Sequence, residues 1–346
     1  MRKIIVVGSG VIGLSSALLL ALEGHKVQVI TRNPEEAASW VAGGMLAPFS
    51  EGLRGDLFDF SYGSLKEYPE FLRLVKEVSG QSVDFWQEGI YRVVLKGEEG
   101  LLELAEGYRE AGYGVEFVEP SEASQLSTEV ITLINYTEEA WVDAEMLMDA
   151  LLSAMGRLGV DFVIDEITEV IKEGGEVKRL RGLKSDYTGD FYVFSTGAWT
   201  RELFDLPVYP IKGQGMKLKS SGLPKVLYSS ISYLIPRKRY LYVGATSEDV
   251  GFLGGNTLEG LNRLSEGAVR VAPSLSQAQI MSMHYGYRPA TPDEKPIFEA
   301  GENYFVATGH HRNGILHAPL TARIVKEYVE GRVLHFTGVF SPNRFS

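Results

Sequence analysis

The sequence predicts an α/β domain built on a parallel sheet, joined to a discontinuous α+β domain with an antiparallel sheet. Three observations carry that expectation. The apolar run Lys3-Ile4-Ile5-Val6-Val7 opens directly into Gly8-Ser9-Gly10-Val11-Ile12-Gly13, then into an apolar stretch reaching Glu23-Gly24-His25. Simple strand–helix alternation lapses over residues 51–140 and 207–284 and returns around them. Residues 208–219, 226–235 and 240–244 read as long strands, the last two parted by the polar turn Pro236-Arg237-Lys238-Arg239, which is the pattern of an antiparallel sheet. The parallel-sheet domain is expected from 1–50, 141–206 and 285–346, and the second domain from 51–140 and 207–284.

The glycines justify the first element. A buried strand, a turn without Cβ atoms and a helix N-terminus together bind a pyrophosphate. Gly8 lets the chain turn, Gly10 lets the backbone approach the ligand, and Gly13 lets the helix pack on the strand. The context makes the motif specific, so the domain is read as Rossmann-like and its ligand as a dinucleotide. Arg2-Lys3 before apolar residues has one feature of a secretory signal, but three glycines interrupt the apolar part and no Ala-x-Ala site follows. Residues 26–30 read as the second strand. An acid for the ribose hydroxyls should end it, yet the chain has Thr31 and Arg32 there. A ribose contact from Glu35 or Glu36, a weaker one from Thr31, and a phosphate facing Arg32 are all compatible with that departure.

The following elements read in order. Ala42-Gly43-Gly44-Met45-Leu46-Ala47-Pro48 has no helical or alternating period and suits close approach to a flat ligand. Helices over 62–78 and 101–111 flank a strand over 89–95. A helix over 142–158 starts at the N-cap Asp143 and precedes strands over 161–164, 169–171 and 177–183. The strand 190–194 ends in Ser195-Thr196-Gly197-Ala198-Trp199, as at the carboxyl edge of a parallel sheet where cofactors bind. A helix over 258–271 closes the second domain. A strand over 303–307, a turn over 308–314 and a helix over 315–330 return to the first.

Composition narrows the function. The 346 residues carry 34 Lys and Arg against 45 Asp and Glu, a net charge of −11. Such a chain has little general attraction for nucleic acid or anionic membrane. No apolar run is long enough for a membrane span, and the expected location is the cytoplasm. The absence of cysteine excludes disulfides, a thiolate nucleophile and a cofactor linked through sulfur. Six scattered histidines, with His310 and His311 adjacent, show no metal-ligand spacing, so no metal is expected.

Seven blocks spread over the chain now point to a family. They are Gly8 to Gly13; Gly44-Met45-Leu46-Ala47-Pro48; Ser195 to Trp199; Tyr233-Leu234-Ile235-Pro236-Arg237; Val243-Gly244-Ala245-Thr246-Ser247-Glu248-Asp249-Val250-Gly251-Phe252; Gly286-Tyr287-Arg288-Pro289-Ala290-Thr291-Pro292-Asp293; and Gly309-His310-His311-Arg312-Asn313-Gly314-Ile315-Leu316. With these the chain resembles the D-amino acid oxidase superfamily of flavoproteins, and within it the bacterial glycine oxidases of thiamine biosynthesis. The resemblance implies non-covalent FAD. It implies oxidation of glycine, a small D-amino acid or N-methylglycine to an imine that hydrolyses to an oxoacid, with dioxygen reduced to hydrogen peroxide. A dehydrogenase of the same fold, passing electrons to a quinone or a protein, is the alternative. A tRNA-modifying flavoprotein of related fold is disfavoured by the acidic charge and the lack of a basic tract. The family's habit of forming homo-oligomers is carried over as an expectation.

The resemblance also implies roles. Arg288 matches the carboxylate-binding arginine, Tyr233 the tyrosine that assists it, Arg312 a second site arginine and Met45 an apolar lining residue. Backbone N–H groups of Gly314, Ile315 and Leu316 would face the flavin pyrimidine. The cofactor is expected along Gly8, Gly10, Val11, Ile12, Gly13, Thr31, Arg32, Gly43, Gly44, Met45, Thr196, Gly197, Gly309, Arg312 and Asn313 as well. No general base is expected, so turnover should rise with pH as the substrate ammonium loses its proton to water.

Overall fold

The computed structural model describes residues 1–123, 126–219, 223 and 225–345. Its first sheet has six strands in the order Ile297–Ala300, Tyr304–Thr308, Phe191–Phe194, Lys3–Val7, Lys26–Thr31, Asp161–Ile164. All neighbours are parallel except Ile297–Ala300, which runs antiparallel to Tyr304–Thr308. Period-2 alternation sends Ile4 and Val6 to one face and Ile5 and Val7 to the other, and both faces are covered. Helices cover the first face: α1 (Val11–Leu22), α2 (Gly55–Ser79), α4 (Ala144–Arg157) and α6 (Gly314–Val329) share one core with it; α3 (Gly100–Glu110) and α5 (Leu258–Val271) belong elsewhere. A small antiparallel sheet, Ile167–Glu173, Glu176–Gly182 and Asp186–Tyr187, closes the second face. Asp143 caps α4 as expected, its carboxylate accepting from Met146 N at 3.1 Å.

The second sheet has eight strands in the order Gln279–Ala290, Tyr209–Lys219, Leu241–Gly244, Tyr233–Pro236, Leu227–Tyr228, Ile90–Leu95, Val130–Tyr136, Val115–Val118. It joins the two chain segments expected to form a discontinuous domain. Their seam is the parallel pairing of Leu227 and Tyr228 with Tyr91 and Arg92, while the other pairings are antiparallel. Helix α5 lays Leu264, Ala268 and Val271 on one face of this sheet.

The structure differs from the sequence reading in three places. Helix α2 starts at Gly55 rather than 62 and buries Phe60, Leu65, Tyr68, Phe71 and Val75 in the first domain's core, although residues from 51 onward were expected in the second domain. The segment 226–235 is two strands, not one. Ser229 N donates to Ser232 O at 2.9 Å and Ser232 N to Ser229 Oγ at 3.0 Å, the local serine bonding that competes with strand pairing. The resulting hairpin pairs Tyr228 with Tyr233. Last, the expected boundary at 285 falls inside the strand Gln279–Ala290, which pairs along its length with Tyr209–Lys219. That strand lies at the sheet edge and has mostly exposed or half-buried residues, so it lacks the one-sided apolar alternation that reveals a strand.

Candidate active site

A cleft of about 460 Å³ runs between the carboxyl ends of the parallel strands and the second sheet. Gly8, Ser9, Gly10, Val11 and Ile12 line one end. Gly8 has φ +109°, and a Cβ there would lie 2.3 Å from Ser195 O, so only glycine fits. A Cβ on Gly13 would lie 2.1 Å from Gly8 O, which is the strand–helix contact the motif requires. Gly10 is different. A Cβ there would meet nothing closer than Ser39 Oγ at 3.5 Å, so protein packing does not demand a glycine and the open space faces the cleft. Gly10 is also the N-cap of α1 and offers no side-chain cap; the first turn holds no acid. Ser39 Oγ accepts from Val11 N at 3.0 Å. This helix terminus, with open space before it, fits the phosphates of a dinucleotide.

Next along the cleft, Thr31 Oγ1 lies 3.0 Å from Ser9 Oγ and is buried. Arg32 Nε pairs with Glu36 at 2.7 Å, and its guanidinium stacks 4.4 Å from the Trp199 ring centroid. Of the residues considered in place of the ribose acid, Thr31, Arg32 and Glu36 line the cleft and Glu35 does not, with Glu36 tied to Arg32. The 42–46 segment forms the short strand Met45–Leu46 against Ala140–Val142. Arg237 fixes it, donating to Gly43 O and, at 2.9 Å, to Val142 O. A Cβ on Gly44 (φ +74°) would lie 2.1 Å from Val142 O. On the far wall Gly197 O accepts from Thr200 Oγ1 at 2.8 Å and Thr308 Oγ1 at 3.2 Å, and Thr196 lines the cleft beside it. Helix α6 ends in the cleft at Asn313, Gly314 and Ile315, again with no side-chain cap and no acid in its first turn.

The other end is built from side chains. Tyr233 stacks between Tyr228 and Tyr242, with centroids 6.3 and 6.1 Å away and interplanar angles of 2° and 4°. Burial pushes the Tyr233 hydroxyl up in pKa against the attraction of Arg288. Arg288 Nη1 donates to Thr246 O at 3.0 Å. Its guanidinium lies over Gly213, where a Cβ would come within 2.5 Å of Nη2. Among the described residues no carboxylate pairs with it. Arg312 is paired: Nε lies 3.4 Å from Glu51 and Nη2 3.3 Å from Glu294. Burial raises the Glu51 pKa, against the pull of Arg312, Arg288 and Arg92. His311 takes φ +48°, uncommon for a residue with a side chain. Burial, helped by Arg312 and Arg288, lowers its pKa to about 3, so the imidazole is neutral.

Most residues singled out from the sequence line this one cleft, among them Thr31, Arg32, Gly43, Met45, Tyr233, Arg288 and Arg312. Gly13, Gly309 and Leu316 do not. Gly13 and Gly309 (φ +72°) sit at backbone contacts behind the wall, and Leu316 is fully buried in the core under α6. Sequence reasoning missed Glu51, Tyr228 and Tyr242. Tyr228 had a signal, since it faces Tyr233 across a serine turn. Glu51 had none, being one acid in an acidic chain. Among the described residues no group of histidines and acids is placed to hold a metal ion, and no helix is long and apolar enough to cross a membrane.

Comparison with known proteins agrees with this geometry. The family model described as FAD dependent oxidoreductase matches residues 3–328. A bifunctional protein ThiO/ThiG of Trichormus variabilis is 35% identical over 95% of the chain. The chain spans about half the length of such bifunctional relatives, 52% in that case. A glycine oxidase of Pseudomonas aeruginosa is 27% identical, with 96% of this chain and 95% of that protein covered. The crystal structure of glycine oxidase from Geobacillus kaustophilus superposes with a TM-score of 0.93, at 26% identity and 99% coverage of both chains. With its phosphate-binding turn, two-sheet plan and cleft all in place, the chain belongs to the FAD dependent oxidoreductase family.

Proposed function

We propose that this chain oxidises the C–N bond of glycine or another small amino acid to an imine, which water converts to an oxoacid and ammonia, with dioxygen as electron acceptor. The observation that carries this reading is Arg288: a cleft-lining guanidinium without a carboxylate partner among the described residues, beside the Tyr233 hydroxyl. A guanidinium held this way grips both oxygens of a carboxylate. The raised pKa keeps Tyr233 protonated and able to donate to the same group. FAD bound along the cleft supplies a two-electron acceptor for the hydride leaving the substrate α-carbon.

The remaining contributions come from the chain. Gly8 to Ile12 and the α1 N-terminus hold phosphate, Gly43 and Gly44 let the cleft wall pack closely against Ile235 and Val142, and the α6 N-terminus offers backbone N–H groups to negative charge. With its pKa lowered to about 3, His311 is a poor proton acceptor at any pH above that, so the substrate ammonium passes its proton to water. The small cleft wall of stacked tyrosines supports a small substrate. The similarity to proteins named glycine oxidase, over nearly their whole length, supports the same reading.

The test is anaerobic. Purified protein with FAD is mixed with glycine, N-methylglycine, D-alanine or D-proline while the flavin bands are recorded. Bleaching by one or more, followed by rapid recolouring and peroxide on admitting air, is the expected result. Bleaching that persists in air assigns a different acceptor. A flavin that none of them bleaches overturns the substrate class.

A further inference from the structure

We propose that Glu51 is a specificity-determining residue: by holding Arg312 as its ion-pair partner, it leaves Arg288 as the guanidinium open to a carboxylate, so the site takes amino acids with one carboxylate and turns away those with a second anionic group. The inference rests on the assignment of this cleft to amino acid oxidation.

Three guanidiniums attract Glu51: Arg312, Arg288 and Arg92. Two have other engagements. Arg92 turns to Tyr228, donating to its carbonyl at 3.2 Å and lying 4.9 Å from its ring centroid. Arg288 bonds Thr246 O. Among the described residues Arg312 alone lies within ion-pairing distance of Glu51. The pair is unequal in exposure, 7% for the Glu51 side chain against 41% for Arg312. Its other partner, Glu294, is 61% exposed and is screened by water, whereas Glu51 acts from the less polar interior.

Glu51 is pinned through its backbone beside Arg312. Its own N–H donates to Ala47 O at 3.0 Å, and Gly52 N to Phe49 O at 2.9 Å. The preceding residues are clasped by the buried carboxylate of Glu139, which accepts from Phe49 N at 2.7 Å, from Ser50 N at 2.8 Å and from the Ser50 hydroxyl. Phe49 is wedged among Phe58, Tyr62, Tyr108, Tyr113 and Tyr136 at centroid distances of 5.1–5.5 Å. Glu51 is therefore a fixed part of the wall, and its carboxyl is negative where the pull of Arg312, Arg288 and Arg92 outweighs the burial that raises its pKa. A substrate bound by its carboxylate at Arg288 and carrying a second carboxylate meets Glu51 as a like charge, with Arg312 already taken. Like-charge juxtaposition of this kind is a common means of rejecting a ligand.

The experiment compares kcat/KM for glycine and for iminodiacetate, which is glycine with a carboxymethyl group on nitrogen, using full-length FAD-loaded enzyme. In Glu51→Gln the iminodiacetate-to-glycine ratio should rise about tenfold or more, the scale of one recovered charge-assisted bond. In the double variant Glu51→Gln/Arg312→Gln that gain should shrink to the part that comes from relief of the like charge alone. A ratio within about twofold of the parent, or a gain undiminished without Arg312, overturns the proposal. Calorimetric binding of acetate and malonate to the parent tests it without variants or turnover. Acetate should bind more tightly, and the reverse order overturns the proposal. A parent that does not oxidise glycine but still prefers acetate breaks the functional assignment and leaves the role of Glu51 standing.

Discussion

The two ends of the cleft are built differently. At the proposed phosphate end the groups available are backbone atoms, and glycines make room for them. At the proposed substrate end they are side chains brought from four distant segments: Glu51, Tyr228 with Tyr233, Arg288, and Arg312. A backbone site depends on local chain geometry, so its residues are adjacent in sequence and leave a motif. A side-chain site depends on how far segments pack, so its residues leave no local pattern. The first end should therefore fail through folding and cofactor retention, and the second through substrate kinetics.

The largest effect expected is at Gly13. Gly13→Ala places a Cβ against Gly8 O and should cost about 3 kcal/mol or more of stability, with loss of FAD. Gly10→Ala separates the two uses of glycine: stability should fall by about 1 kcal/mol or less, while FAD affinity drops at least about tenfold, because the new methyl enters the ligand's space. Thermal melts of apo and FAD-loaded protein give both numbers. Equal loss of stability in the two variants would erase the distinction.

Arg288→Ala probes the other end. Losing a charge-assisted grip should lower kcat/KM for glycine about 100- to 1000-fold, with thermal stability and FAD content unchanged. A carboxylate-free amine such as ethylamine should lose less than about threefold, since the missing contact was never made to it. Equal damage to both would show that Arg288 supports structure rather than substrate.

Glu139 sits behind the boundary between the two ends and predicts a pH effect. Burial raises its pKa to about 8, against the hydrogen bonds from Ser50 and Phe49. The folded protein thus retains a proton that the unfolded chain releases near pH 4.5. The sign follows from linkage: with more protons bound when folded, stability falls as pH rises between about 4.5 and 8, at up to about 1.4 kcal/mol per unit. Glu139→Gln should flatten that slope in denaturant titrations. An unchanged slope would assign it to other groups. Tyr233→Phe is the smallest change: removal of one hydroxyl should raise KM for glycine about three- to tenfold, and stopped-flow bleaching rates would show whether kcat follows.

How much was legible follows the same division. The strand–turn–helix at residues 3–22 was readable because the glycine spacing stands between an apolar strand and an apolar helix, and two of the glycines, Gly8 and Gly13, answer to a steric demand. Helix α5 matched its expected bounds of 258–271, and the structure shows Thr257 capping it. Arg288, Tyr233 and Arg312 came from resemblance, and nothing in composition or periodicity distinguished them. The strand bearing Arg288 was not read, and the expected boundary at 285 cuts it, because most of its residues are exposed or half-buried and leave no apolar alternation. The serine turn at 229–232 was hidden inside an otherwise strand-like apolar run. Glu51 was invisible, since its importance lies in what packs around it.

The strand order has a consequence for the making of the protein. Lys3–Val7 is flanked by Lys26–Thr31, which follows it closely, and by Phe191–Phe194, which is synthesised far later and must itself pair with Tyr304–Thr308. The turn at Gly8 leans on Ser195. On a ribosome the phosphate cradle therefore cannot close until nearly two hundred residues have emerged, and its α6 wall forms later still. Contacts of such sequence separation are slow to form. Until they do, the apolar first strand and α1 lack most of their cover, and chaperone capture during translation should fall on them.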